Sequence, residues 1–141
     1  MAEQEKRKEV IKMANVMASP SRYVQGAGEL SNLCEHAKLL GTKLFVLTSP
    51  SGKSRVEGSL SASAKASGAT LVYEAFRGEC SMTEIQRVKA AFEASDCEVV
   101  VGIGGGKIHD TAKAVAYYAG APVVIVPTIA STDAPCSALS V

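Results

Sequence analysis

Val99-Val100-Val101-Gly102-Ile103-Gly104-Gly105-Gly106-Lys107-Ile108-His109-Asp110-Thr111-Ala112-Lys113 decides the fold of this chain. A β-branched apolar run ends in a cluster of glycines, and a helical pattern follows at once. That order predicts a strand, a tight turn and a helix. Bare backbone N–H groups then gather at a helix N-terminus, where a phosphate is the natural guest. Glycine permits the angles a tight turn needs, and a side chain there would block close approach. Lys107 adds a positive charge beside the same spot. A plain strand-to-helix turn needs one glycine, not three in a row, so the stretch reads as phosphate or dinucleotide binding.

Two common motifs fail here. A P-loop needs G-x-x-x-x-G-K-[ST], but Gly106-Lys107 is followed by Ile108, and Val101 stands where the early glycine belongs. The fingerprint G-x-G-x-x-G fits at Gly102 and Gly104 and then meets Lys107 at its last position. Nor does the stretch sit on the first strand. It is a different dinucleotide loop that relies on the same physics.

Working outward, strands and helices alternate. Residues 1–14 read as a polar, charged extension. Residues 16–25 carry Pro20 and read as an extended edge segment. Leu30, Leu33, Cys34 and Ala37 recur at helical spacing, with Gly41 as the stop. Leu44 to Leu47 is a short apolar strand. Residues 53–67 form a weaker helix that ends near Gly68, with Val56, Leu60 and Ala64 on one face. Residues 69–73 make the next strand. Ser81 with Glu84 three residues on is a capping-box pattern, and Ile85, Val88 and Phe92 form the buried stripe of the helix it opens. After the strand Glu98–Val101, the helix beyond the glycines places Ile108, Thr111, Ala112, Val115, Ala116 and Ala119 on one face. Gly120 and Pro122 stop it, and Val123 to Val126 is a further strand.

Because the strands are continuous apolar runs, both of their faces must be covered. The expected fold is α/β: a Rossmann-like, mostly parallel sheet with helices on both faces, in one domain over residues 15–141. Ligands then sit at the carboxyl ends of the strands. Two segments there have suitable chemistry, Gly104–Asp110 and Pro127–Ser137.

Composition narrows the function. The chain has 141 residues, 47% of them hydrophobic, and a net charge of +1 from 15 basic and 14 acidic residues. That balance gives no electrostatic case for nucleic acid or for an anionic membrane. Lys6-Arg7-Lys8 is flanked by Glu3, Glu5 and Glu9 and reads as a solvated helix face. Cys34, Cys80, Cys97 and Cys136 make no C-x-x-C pair and no zinc-like cluster. No apolar signal core opens the chain, and no run is long enough to span a bilayer. The expectation is a reduced, cytoplasmic protein.

The second segment reads Pro127-Thr128-Ile129-Ala130-Ser131-Thr132-Asp133-Ala134-Pro135-Cys136-Ser137-Ala138-Leu139-Ser140-Val141. Thr128, Ser131 and Thr132 can bond to a phosphate, ribose or amide. Asp133 can accept from two neighbouring hydroxyls of a polyol. Alone, the segment also fits an ordinary Ser/Thr/Asp/Pro-rich turn. Together with Gly-Gly-Gly-Lys-x-x-Asp-Thr-Ala-Lys at 104–113, it resembles the metal-dependent (iron-containing) alcohol dehydrogenase family, which shares its fold with dehydroquinate synthase. The resemblance runs over about residues 16–141 and includes Ser19-Pro20, Tyr23, Gln25-Gly26 and Gly78-Glu79-Cys80-Ser81. The Ser-Thr-Asp-Ala-Pro segment at 131–135 points to the glycerol dehydrogenases within that family.

The resemblance implies an NAD-dependent oxidoreductase that takes glycerol to dihydroxyacetone. Gly105, Gly106 and Lys107 would hold the cofactor pyrophosphate, with Asp110 close by. Thr128 and Ser131 would line the nucleotide and nicotinamide-ribose region, and Ser137 and Leu139 would pack near the nicotinamide. Asp133 would bind the substrate hydroxyls. Family members that prefer NAD often carry Asp after the strand occupied here by Leu44–Leu47. This chain has Thr48-Ser49-Pro50 there, and Ser49 suits either a ribose or a 2′-phosphate, so NADP is a possible cofactor beside NAD.

The family's divalent metal, expected to be zinc, is held by an Asp and two His from a helical C-terminal domain. The resemblance implies that the chain stops at Val141, before that domain. Its two histidines are His36, on a helix early in the chain, and His109, beside the glycines. The metal would polarise the alcohol oxygen before hydride transfer. Residues 1–141 alone are therefore expected to turn over little or nothing. Ser137–Val141 reads as the start of a strand whose edge would be exposed, which leads to self-association or to pairing with a metal-binding C-terminal half. Two other readings stay open: a non-catalytic nucleotide-binding or regulatory protein, and a polyol-phosphate dehydrogenase of the same fold.

Overall fold

A computed structural model of the chain describes residues 23–25, 29–127 and 138–140. The expected extension at 1–14 lies outside the described residues, as does most of the edge segment at 16–25. The elements run β1 (Tyr23–Gln25), a 3-10 turn (Glu29–Asn32), α1 (Leu33–His36), β2 (Lys43–Thr48), α2 (Pro50–Ser67), β3 (Thr70–Ala75), α3 (Met82–Ala94), β4 (Val99–Gly104), α4 (Gly106–Ala119), β5 (Val123–Pro127) and β6 (Ala138–Ser140). They build one six-stranded sheet in the order β1-β6-β5-β4-β2-β3. Its four central-to-edge strands, β3, β2, β4 and β5, are parallel. β6 runs antiparallel to both β5 and β1.

The apolar runs explain the layering. In β2, Leu44 and Val46 turn to one face and Phe45 and Leu47 to the other. β4 divides in the same way, with Val99, Val101 and Ile103 opposite Val100. One face packs on Leu30, Leu33 and Cys34 and on Val56 and Leu60 of α2. The other packs on Ile85, Val88 and Phe92 of α3 and on Ile108, Ala112 and Val115 of α4. A strand clad on both faces has no polar side to show, which is why its sequence does not alternate. Phe45 and Phe92 meet edge-to-face at 5.5 Å, tying β2 to α3.

Several local readings change. The expected helix over Leu30–Gly41 is a 3-10 turn and one α-helical turn. Its stripe of Leu30, Leu33, Cys34 and Ala37 is buried as expected. Beyond it Leu39 is 91% exposed, while Leu40 packs against the core from a turn rather than from a longer helix. Gly41 serves a close approach: a Cβ there would lie 2.8 Å from the Glu98 Cβ. α2 begins at Pro50 rather than residue 53, because Ser49 caps it and proline fits the first helical position. Only half of the capping box forms at Ser81. Its hydroxyl accepts from the Glu84 amide at 3.1 Å, but the Glu84 carboxylate turns instead to the Arg77 amide and to Arg87. The expected free edge at Ser137–Val141 is also corrected. The strand at 138–140 lies inside the sheet, between β5 and β1.

Candidate functional site

The chain goes from β2 outward to β3, then returns to the other side of β2 for β4 and continues to β5. The order of strands therefore reverses between β2 and β4. In an open α/β sheet the crevice beyond the carboxyl ends at such a point is where ligands bind. Leu47 of β2 pairs with Gly102 of β4, so Ser49 and Gly105, which follow the two strands, emerge side by side.

The helices that leave this end begin differently. α2 is capped by the Ser49 hydroxyl, which accepts from the Gly52 amide at 3.0 Å. α3 is capped by Ser81. α4 starts on Gly105 with no side-chain cap and no acidic residue in its first turn. Its leading amides face outward with the positive end of the helix dipole behind them. Among the described residues, a Cβ on Gly105 or Gly106 would meet nothing within 4 Å, so no described side chain crowds these glycines.

The other two glycines do different work. Gly104 has φ 150°, a conformation that L side chains rarely adopt, and it turns the strand into the helix. Gly102 lies in β4 under α4, where a Cβ would stand 2.7 Å from the Ala112 Cβ. It brings the helix close to the sheet. The expected loop Gly104–Asp110 is thus a single turn residue followed directly by helix, because the helix can pack tightly on a strand that lacks a side chain at 102.

Charge at this end is arranged by the turns around α4. Lys107 projects from its first turn, and its Nζ lies 2.8 Å from Oε1 of Glu79 in the segment between β3 and α3. Both side chains are exposed, at 62% and 76%. Asp110 is exposed one turn further along α4. The hydroxyl of Thr111 donates to the Lys107 carbonyl at 2.8 Å. His109 is half-buried. Its Nε2 lies 3.4 Å from the Val126 carbonyl at the end of β5, and its ring also meets the Gly104 backbone. Burial pushes its imidazole below the usual histidine range, and Lys113 adds to that, against the backbone contacts and Asp110.

Behind the crevice an ion-pair cluster fixes α3 to β3. Arg87 reaches Glu84 at 2.7 Å and Glu74 at 2.8 Å, and donates to the Ala75 carbonyl at 2.9 Å. The bond to Arg87 holds the buried Glu84 carboxyl below its ordinary value, and its carboxylates raise the Arg87 guanidinium in turn. Thr48, at the end of β2, is buried, and its hydroxyl has no partner among the described residues.

The structure therefore places Ser49, Gly105, Gly106 and Lys107 just beyond the ends of β2 and β4, with Asp110 exposed a turn into α4. Thr128, Ser131, Asp133 and Ser137 lie outside the described residues. Leu139 is the middle residue of β6. Antiparallel pairing of Ile125 with Ser140 puts Pro127 and Ala138, the two flanks of residues 128–137, at this same end of the sheet. Sequence reasoning gave no role to Glu79 or to the His109–Val126 contact. Each joins residues far apart in the chain, and nothing in the local pattern announces the partner. Among the described residues no three His, Cys, Asp or Glu side chains converge on a common point, and no helix is long and apolar enough to cross a membrane.

Comparison with known proteins agrees with this fold. The family model described as iron-containing alcohol dehydrogenase matches residues 20–141. A glycerol dehydrogenase of Thermotoga maritima is 51% identical over 124 residues, covering 86% of this chain and 33% of the relative. One from Escherichia coli O6:H1 is 43% identical over 129 residues, covering 92% and 35%. Among solved structures, a probable glycerol dehydrogenase of Sinorhizobium meliloti superposes with a TM-score of 0.66 at 40% identity, covering 80% of this chain and 30% of that one. The chain thus spans about a third of the length of these curated relatives.

Proposed function

The chain belongs to the iron-containing alcohol dehydrogenase family, and from that premise we propose that residues 15–141 are the dinucleotide-binding part of a glycerol dehydrogenase. One observation carries the reading: among the described residues, a helix N-terminus with no side-chain cap and uncrowded glycines stands at the point where the strand order reverses. The amides of Gly105 and Gly106 and the ammonium of Lys107 hold the pyrophosphate, with Asp110 one turn behind. The adenosine ribose lies toward Ser49. That hydroxyl accepts from the Gly52 amide and lies 3.3 Å from the Ser51 hydroxyl, and with Ser51 donating, its own hydrogen turns to a ribose oxygen or to a 2′-phosphate. NAD is the cofactor on this reading, and no carboxylate at the end of β2 repels NADP.

The nicotinamide half extends past His109 toward β5. Thr128 and Ser131 then line the nicotinamide ribose, Ser137 and Leu139 flank the ring, and Asp133 takes the hydroxyls of a small polyol such as glycerol. This part of the enzyme binds the dinucleotide and orients the ring that accepts hydride from the substrate carbon. The described residues offer no ligand set for a divalent metal, so zinc has no seat among them. A metal-binding half, on the same or another polypeptide, is the partner this reading requires. Self-association through the sheet edges β1 and β3 is the alternative partnership, and the setting is the cytoplasm.

Calorimetric titration of the chain with NAD and NADP tests the cradle. Saturable binding that Gly106→Ala weakens is expected, and no heat from either dinucleotide would refute it. Glycerol-dependent NAD reduction with added zinc tests the division of labour. Little or no turnover is expected from this chain alone, and substantial turnover would show that the catalytic groups lie within it.

A further inference from the structure

The one cation at the start of α4 is not idle. Lys107 reaches back to Glu79, 28 residues earlier, with Nζ and Oε1 2.8 Å apart. Glu79 is held there from both sides. Gly78 before it has φ 106°, and the backbone at Arg77 is pinned by its amide bond to the Glu84 carboxylate at 2.9 Å. Ser81, two residues after Glu79, is fixed as the cap of α3. The carboxylate is therefore presented at the rim of the crevice rather than swept there by a loose loop.

We propose that Glu79 is a positioning residue that acts through Lys107 and sets the affinity of the site for a dinucleotide. It occupies the ammonium in the free protein and must yield it when a pyrophosphate arrives. This deepens the dinucleotide reading and rests on it. An exposed ion pair of this kind is weak and is screened by salt, so a pyrophosphate can displace it. While it lasts it competes with every anion that reaches α4.

Isothermal titration of the chain, Glu79→Gln, Lys107→Met and the double variant with NAD at low and high salt tests this. Both side chains are exposed, so neither substitution threatens folding. Glu79→Gln is expected to bind NAD about two- to fivefold more tightly at low salt, with the gain shrinking at high salt. The gain is expected to vanish in the Lys107→Met background, where there is no ammonium to release. An unchanged or weaker affinity in Glu79→Gln overturns the proposal while leaving the dinucleotide site intact. An undiminished gain in the double variant also overturns it, because Glu79 would then act on the ligand directly. If no form of the chain binds NAD, the dinucleotide reading itself fails and this inference falls with it.

Discussion

Replacing Gly102 and Gly106 separately should split stability from binding. A Cβ at Gly102 would lie 2.7 Å from the Ala112 Cβ, 3.5 Å from the Ile108 carbonyl oxygen and 3.6 Å from the Ile125 Cδ1. Ala112 is a helix residue with no flexible side chain to swing aside. Strand and helix must therefore part by about 0.7 Å to regain an ordinary 3.4 Å contact. Overpacking of this kind costs roughly 1–3 kcal/mol. For a chain of this size that is a fall in Tm of about 2–4 °C per kcal/mol. At Gly106 the Cβ meets nothing, and the residue is the first of α4. Alanine is better than glycine in a helix by up to about 1 kcal/mol, so Gly106→Ala should be as stable as the parent or slightly more so. On the proposed dinucleotide reading its methyl stands where the pyrophosphate approaches, and affinity for NAD should fall by about tenfold or more, worth roughly 1.4 kcal/mol. Urea denaturation and NAD calorimetry on both variants make the comparison. Gly102→Ala within about 0.5 kcal/mol of the parent would refute the packing argument, and undiminished NAD binding by Gly106→Ala would refute the cradle.

Three further outcomes follow from the charged and titrating groups. Arg87→Met should destabilise by about 1–3 kcal/mol at pH 7, because it leaves the buried Glu84 carboxylate with only the Arg77 amide. Since Glu84 is held below its ordinary value of 4.5, the stability it contributes is present above that pH and lost as pH falls through the folded value. The gap between parent and variant in urea midpoint should therefore narrow in acid, and a constant gap would count against the pairing. His109 is likewise held below its ordinary 6.5, chiefly by burial, so its folding contribution is complete above that pH and declines as pH falls through the folded value. His109→Gln should flatten that part of the stability–pH curve, and an unaltered slope would place the titration elsewhere. Burial pushes the Cys34 thiol up, whereas Cys80 is exposed, so iodoacetamide should label Cys80 in the native chain and Cys34 only after unfolding. Peptide mass mapping that finds Cys34 modified first would contradict the packing of α1 on the sheet.

The parallel core was legible because its signals are local. Val99–Val101 and Leu44–Leu47 show no alternation, and strands buried on both faces leave no other reading. The start of α4 was equally legible, since three glycines before a lysine leave the helix without a cap. The start of α2 was missed although Ser49-Pro50 announces it, because the weak amphipathicity of its Ser/Ala-rich body drew attention to the later turns. Readings failed where a packing or polar contact outside the local pattern decided the outcome. Glu84 completes no capping box because Arg87 and the Arg77 amide claim its oxygens. The glycines at 104–106 make no loop because α4 is pulled down onto Gly102. β6 is not an edge because β1, from the other end of the chain, lies beside it.

That last pairing sets the order in which the molecule can be made. Tyr23 registers with Ser140, so the first described strand has no neighbour until the last has left the ribosome. The four parallel strands draw only on nearer segments and can collapse earlier, while β1 waits as an unzipped flank. Long-range closure of this kind is the slow part of folding and the part most open to intermolecular error. A nascent chain halted before residue 138 would carry the four parallel strands and an unpaired β1.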